Sequence, residues 1–179
     1  MSAEEKKIYI VVTQTGTVLS RILKQITGAK YNHSSISPYA DLHLMYSFGR
    51  KNAYNPFFGG FVTESVRFGT FKRFYKTQAQ VVEISVSAEQ YAAICSTLEE
   101  MVQERKKYHY NYWGLYLAAL RISHSKPDCY YCSEFVKEML VHHAVVGAED
   151  LPVITQPIHF LDIPAAETVY CGKLHDYAV

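Results

Sequence analysis

The residues best able to do chemistry gather around one cysteine. Asp128-Cys129-Tyr130-Tyr131-Cys132-Ser133-Glu134-Phe135-Val136 leads from a loop after Pro127 into an apolar helical pattern, so Cys132 falls where a helix begins. There the helix dipole and unpaired backbone N–H groups favour a thiolate and can hold an oxyanion. Helical spacing puts Cys132, Phe135, Val136, Met139, Leu140 and His143 on one stripe, which turns the thiol toward whatever the helix packs on. The same spacing also describes a small buried thiol closing a core stripe. A nucleophilic cysteine needs a base as well. Of the eight histidines, His33 opens the alternating run Asn32-His33-Ser34-Ser35-Ile36-Ser37, where a ring at a strand start can meet a helix N-terminus at the rim of a sheet. His142 and His143 lie about three turns, or roughly 15 Å, along the helix and are out of reach. His109, His124, His159 and His175 have no patterned context.

Other thiol chemistries compete for the same residues. Cys129-x-x-Cys132 has the spacing of a redox dithiol, but such a motif usually follows a strand in a βαβ unit, and a tyrosine-bearing loop and helices precede this one. Zinc requires four ligands, and Cys95 and Cys171 stand alone, so no metal is expected, and a thiol mechanism implies no cofactor.

These residues must be positioned by elements legible in the pattern. Ile8-Tyr9-Ile10-Val11-Val12 predicts a buried first strand, and Val18, Leu19, Ile22, Leu23 and Ile26 a helix closed by Gly28. Two strands, Asn32 to Ser37 and His43 to Phe48, flank a turn at Pro38-Tyr39-Ala40-Asp41. Asn55-Pro56 and Gly59-Gly60 mark a loop, and strands follow at Val62 to Phe68 and Gln80 to Val86. Ser87-Ala88-Glu89-Gln90 is a capping box opening a helix that runs to about Lys107. Further helices are expected over Asn111 to Ile122 and from Cys132 to Val146, the latter closed by Gly147. The tail from Leu151, with Pro152, Pro157 and Pro164, reads as mostly loop with a strand at Thr168 to Leu174. Strands first and helices later predict an α+β fold in a single domain over residues 1–179.

Composition bounds the setting. The chain has 179 residues, 49% of them apolar, with 18 basic residues against 17 acidic. That balance disfavours nucleic acid as a partner. No apolar run reaches a membrane span, and Met1 to Lys7 lacks the apolar core of a signal peptide, so a cytoplasmic location is expected. The 15 tyrosines suit half-wet clefts as well as half-buried strand positions. Arg50 to Lys76 carries six basic residues against one acid, Glu64, which fits either a surface for an anionic substrate or lipid headgroup or an ordinary solvated face.

Asn32-His33-Ser34-Ser35-Ile36, then Met45-Tyr46-Ser47-Phe48-Gly49-Arg50-Lys51, then Tyr130-Tyr131-Cys132-Ser133-Glu134-Phe135-Val136, in that order, resemble the circularly permuted NlpC/P60 group of papain-like proteins, which includes YaeF/YiiX-like and lecithin:retinol acyltransferase-like proteins. In that group the histidine strand precedes the cysteine helix. The resemblance implies a permuted papain-like fold with a small antiparallel sheet packed on helices. It also implies a cysteine hydrolase or acyltransferase acting on an amide or ester of a small molecule, peptide, cell-wall fragment or lipid. Cys132 would be the nucleophile and His33 the base. Ser47 stands at the third, ring-orienting position, where relatives carry a histidine or carboxylate; failing it, the role passes to Tyr46 or His43. Tyr46, Tyr130 and Tyr131 are the tyrosines expected at the substrate. The serine leaves open a non-catalytic binding module that keeps the cleft.

Overall fold

Ile8 to Val12 is apolar at every position because both of its faces are covered, one by Ile36 and two helices, the other by Phe71 and Leu174. The chain around it is seen in a computed structural model that describes residues 5–15, 30–52 and 55–177. The helix expected over Val18 to Gly28 lies outside those residues.

In chain order the strands are β1 (Lys6–Gln14), β2 (His33–Ser37), β3 (Met45–Asn52), β4 (Asn55–Glu64), β5 (Gln78–Val86), β6 (His109–Tyr110), β7 (Cys129–Tyr130) and β8 (Ala166–Lys173). They form one open sheet in the order β7-β6-β4-β3-β2-β1-β5-β8, antiparallel except between β6 and β7. Among the described residues four α-helices accompany it: α1 (Gly69–Arg73), α2 (Ala88–Gln103), α3 (Tyr112–Ala119) and α4 (Cys132–His142). None of them is long and apolar enough to cross a membrane. The fold is therefore α+β as expected, with a sheet larger than the small one anticipated.

The main core lies between the sheet and helices α2 and α4. Ile94, Leu98 and Met101 of α2, and Phe135, Val136, Met139 and Leu140 of α4, close over Ile8, Ile10, Ile36, Phe48 and Phe61. Each large apolar side chain buried this way stabilises the docking by roughly 1.5–3 kcal/mol, so the start of α4 is held firmly against the sheet. The second core, on the opposite face, joins Val11, Met45, Phe71, Val81 and Leu174.

Helix ends show where local signals prevailed and where they did not. The Ser87 capping box forms as expected, with Gln90 N–H donating to Ser87 Oγ at 3.1 Å. α2 stops at Gln103, short of Lys107, and α3 starts at Tyr112 and stops at Ala119, inside the Asn111 to Ile122 expected. α4 ends at His142, ahead of Val146 and Gly147, because Ala144 takes the left-handed conformation (φ 52°) and Val145 N–H returns to Leu140 O at 2.8 Å. The Gln90 side chain donates to the carbonyls of His143 and Ala144, at 3.2 and 2.8 Å, and so closes this helix from a distant part of the chain.

The Asn55–Gly60 segment departs furthest from expectation. It is strand, not loop, and β4 runs through it to Glu64, where the strand expected to reach Phe68 ends. The glycines serve close approach: a Cβ on Gly59 would meet the Tyr112 hydroxyl at 2.6 Å, and one on Gly60 the Tyr108 carbonyl at 2.8 Å. The prolines of the tail border a 3₁₀ turn, Pro157–Leu161, before β8.

Candidate active site

β4 sets the site's frame. Its antiparallel register with β3 pairs Met45 with Glu64 and Ser47 with Val62, which turns Glu64 to the same face as Ser47. His33, the first residue of β2 and paired with Thr13, reaches that face at the sheet's rim. Its Nε2 lies 2.9 Å from Glu64 Oε2 and 3.2 Å from Oε1. Ser35 Oγ–H donates to the same Oε2 at 2.7 Å and holds the carboxylate in place. Phe71 packs beside the imidazole, with ring centroids 6.4 Å apart.

Cys132 enters from α4. A His33–Cys132 hydrogen bond joins the thiol to the same ring that Glu64 holds. The backbone N–H groups of Ser34 and Ser133 also point to the sulfur. Two ties pin the start of α4. Glu134 accepts from Tyr131 N–H and from the Asn111 side chain, both at 3.3 Å, and Ser133 Oγ–H donates to Thr155 O at 2.7 Å.

The electrostatics follow from this arrangement. Burial alone pushes the Cys132 thiol up, but the bond and positive charge of His33, together with the two backbone N–H groups, outweigh it and hold the thiol below its usual range. For His33 burial favours the neutral ring, whereas the Glu64 charge and the bonds to Cys132 and Glu64 raise it to about 10. Burial raises Glu64 too, yet His33 and Ser35 keep it below the ordinary carboxylate value. All three shifts run toward the charged forms, thiolate, imidazolium and carboxylate, because each charge in the row is favoured by its neighbour. Tyr110 at the end of β6 is raised well above its ordinary value, by burial first and the Cys132 charge next, so its phenol stays protonated.

Of the residues singled out from sequence, Cys132 and His33 come together. Ser47 does not join them: it is buried, and its hydroxyl donates to Ser34 O at 2.6 Å, clamping β3 to β2. The carboxylate that bonds the His33 ring is that of Glu64. Tyr46 lies in the main core, stacked on Phe61 with centroids 6.2 Å apart, and His43 is exposed and bound to Asp41. Tyr130 packs edge-on to Phe48 at 5.2 Å. Tyr131 lines a pocket beside Cys132 with Tyr31, Leu115, Ala118, Ile154 and Pro157. Sequence reasoning does not reach Glu64, Ser35 or Tyr110. A signal for Glu64 is present, as the lone acid in a basic stretch and inside the strand expected over Val62 to Phe68, but the pairing with β3 that brings it to His33 is not legible locally.

Cys95, Cys129, Cys132 and Cys171 are all free thiols. Among the described residues no group of three or more His, Cys, Asp or Glu is placed to hold a metal ion. No protein-family model matches the chain, and no curated protein matches it.

Proposed function

We propose that the protein is a cysteine-dependent hydrolase or acyltransferase of the permuted papain-like kind, acting on an amide, ester or thioester. The observation that carries this reading is the Cys132–His33–Glu64 row, with the thiol buried and the other two half-buried. Its order, with the histidine strand before the cysteine helix, agrees with the permuted NlpC/P60 resemblance. The Cys132 thiolate attacks the carbonyl carbon, and the charge on the oxygen is met by backbone N–H groups at the start of α4 and by the Tyr110 hydroxyl. His33 gives its proton to the leaving group, leaving a thioester on Cys132. It then takes a proton from water or another acceptor, which attacks the thioester and frees the thiol. Glu64 keeps the ring oriented and its positive form favoured. The mostly apolar pocket lining suits an apolar acyl group.

The binding-module alternative drew on the serine at the third position, and with Glu64 facing the ring it has less support. The deciding experiment is turnover of a panel of acyl esters, thioesters and amides by wild type and Cys132→Ala. A loss of at least about 10³-fold in the variant, with a mass increase on Cys132 in trapped wild type, is expected. Equal rates for the two proteins would remove the enzyme reading.

A further inference from the structure

α3 is apolar around its whole circumference, yet Gly114 is its one fully buried residue. A helix of this composition is normally enclosed by protein or by lipid. Its inner side is accounted for, since Leu115, Ala118 and Ala119 wall the pocket beside Cys132. The outer side and the turn after it are uncovered: Trp113, Tyr116, Leu120 and Ile122 are between 50% and 62% exposed. The Trp113 and Tyr116 rings stack with centroids 5.5 Å apart, forming one aromatic ledge. From Asn111 to Pro127 the chain has no Asp or Glu, while Arg121 and Lys126 stand exposed in the turn. His109, His124 and Lys126 line a groove together with Trp113. The acids nearby are engaged, Asp128 by Lys107 at 3.5 Å and Glu134 by Asn111 at 3.3 Å.

We propose that the outer face of α3 and the turn over residues 120–127 dock on an anionic lipid bilayer. Trp113, Tyr116 and Leu120 enter the headgroup boundary, where amphipathic aromatic rings are favoured, and Arg121 and Lys126 meet lipid phosphates. Charge decides against a second copy as the occupant. A two-fold pairing sets the same patch against itself, so a surface carrying Arg121 and Lys126, with no acid from Asn111 to Pro127, would face another of the same sign. Because Leu115, Ala118 and Ala119 lie on the same helix, docking brings the wall of the Cys132 pocket to the lipid surface. The surface itself is independent of whether Cys132 reacts.

Trp113 is the chain's single tryptophan, so its emission reports on this face alone. The full chain is titrated with mixed phosphatidylglycerol–phosphatidylcholine vesicles and with pure phosphatidylcholine vesicles. The expected result is a blue shift of Trp113 emission and quenching by bromines on the acyl chains, with binding to the neutral vesicles weaker by about tenfold or more and binding to the anionic ones falling as salt is raised. The Tyr116→Ser/Leu120→Ser and Arg121→Glu/Lys126→Glu variants keep the probe, and each weakens binding by about tenfold or more at unchanged far-UV circular dichroism. Unshifted and unquenched emission with anionic vesicles overturns the proposal. Equal affinity for the two vesicle types does so too, as does a blue shift produced by protein concentration alone, the mark of self-association.

Discussion

His33–Glu64 and His43–Asp41 are the same chemical pair in two regions of the molecule, and the shorter of the two contacts is not the one in the candidate site. His43 Nδ1 lies 2.6 Å from Asp41 Oδ1, whereas His33 Nε2 lies 2.9 Å from Glu64 Oε2. What separates them is surroundings. The His43 and Asp41 side chains are 53% and 54% exposed, against 15% and 12% for His33 and Glu64. Water and salt screen the exposed pair, which joins neighbours two residues apart in a turn. The more enclosed pair joins residues 31 positions apart and shares its imidazole with the Cys132 thiol, so its charge acts on a third group as well as on solvent. Distance between a histidine and a carboxylate is a poor guide to function; enclosure and the third partner distinguish the two.

The largest effect expected from breaking the buried pair is on the thiol. In His33→Ala, Cys132 loses the bond and charge that lower it while keeping the burial that raises it, so its alkylation by iodoacetamide near pH 6–7 falls by about 100-fold or more. Site-resolved mass spectrometry measures this, and an unchanged rate would mean that the ring does not activate the sulfur.

Next comes Glu64→Gln, which keeps a hydrogen-bonding group and removes the charge. Turnover falls about 10–100-fold, and the pH profile separates this from a merely structural loss. His33 must be protonated to assist the leaving group, and its proton is held up to about 10, so the alkaline limb of wild-type turnover lies near there. Removing the negative charge that raises the ring moves that limb down toward the ordinary 6.5. A limb that stays near 10 in the variant would show that Glu64 does not set the ring's charge.

Ser47→Ala tests position against chemistry. It leaves the buried Ser34 carbonyl without the Ser47 hydroxyl and costs about 1 kcal/mol of stability in denaturant unfolding. The pH dependence of Cys132 alkylation is expected to keep its shape, and a shifted profile would return Ser47 to the ring-orienting role. The smallest effect is at the exposed pair. Asp41→Asn changes turnover less than about twofold and stability by no more than about 0.5 kcal/mol. A larger loss of turnover would mean that the two pairs are coupled.

Much of this is legible in the chain itself. Cys132 at a helix start, His33 at a strand start, the Ser87 capping box and the β2–β3 turn all rest on residues close in sequence, and local rules reach that far. The ring's carboxylate is harder. Gly59 and Gly60 read as loop because glycine is disfavoured in strands; their reason for being there is the packing of Tyr112 and Tyr108 against them, which no local pattern records. Glu64 falls inside the strand expected over Val62 to Phe68, but no local pattern says that this strand pairs with β3 and so faces the acid to His33, and Ser47 stands in the orienting position by resemblance.

Local chemistry along the chain dictates which groups can react and which elements carry them, because thiol and imidazole identity, helix caps and strand periodicity need only near neighbours. Which acid faces His33, that Tyr46 belongs to the core, and that α3 lies with one side on the pocket and the other uncovered are set by the folded arrangement alone. Those outcomes depend on strand register and on helix docking across tens of residues, and a change of register by one residue would have turned Glu64 to the opposite face of the sheet.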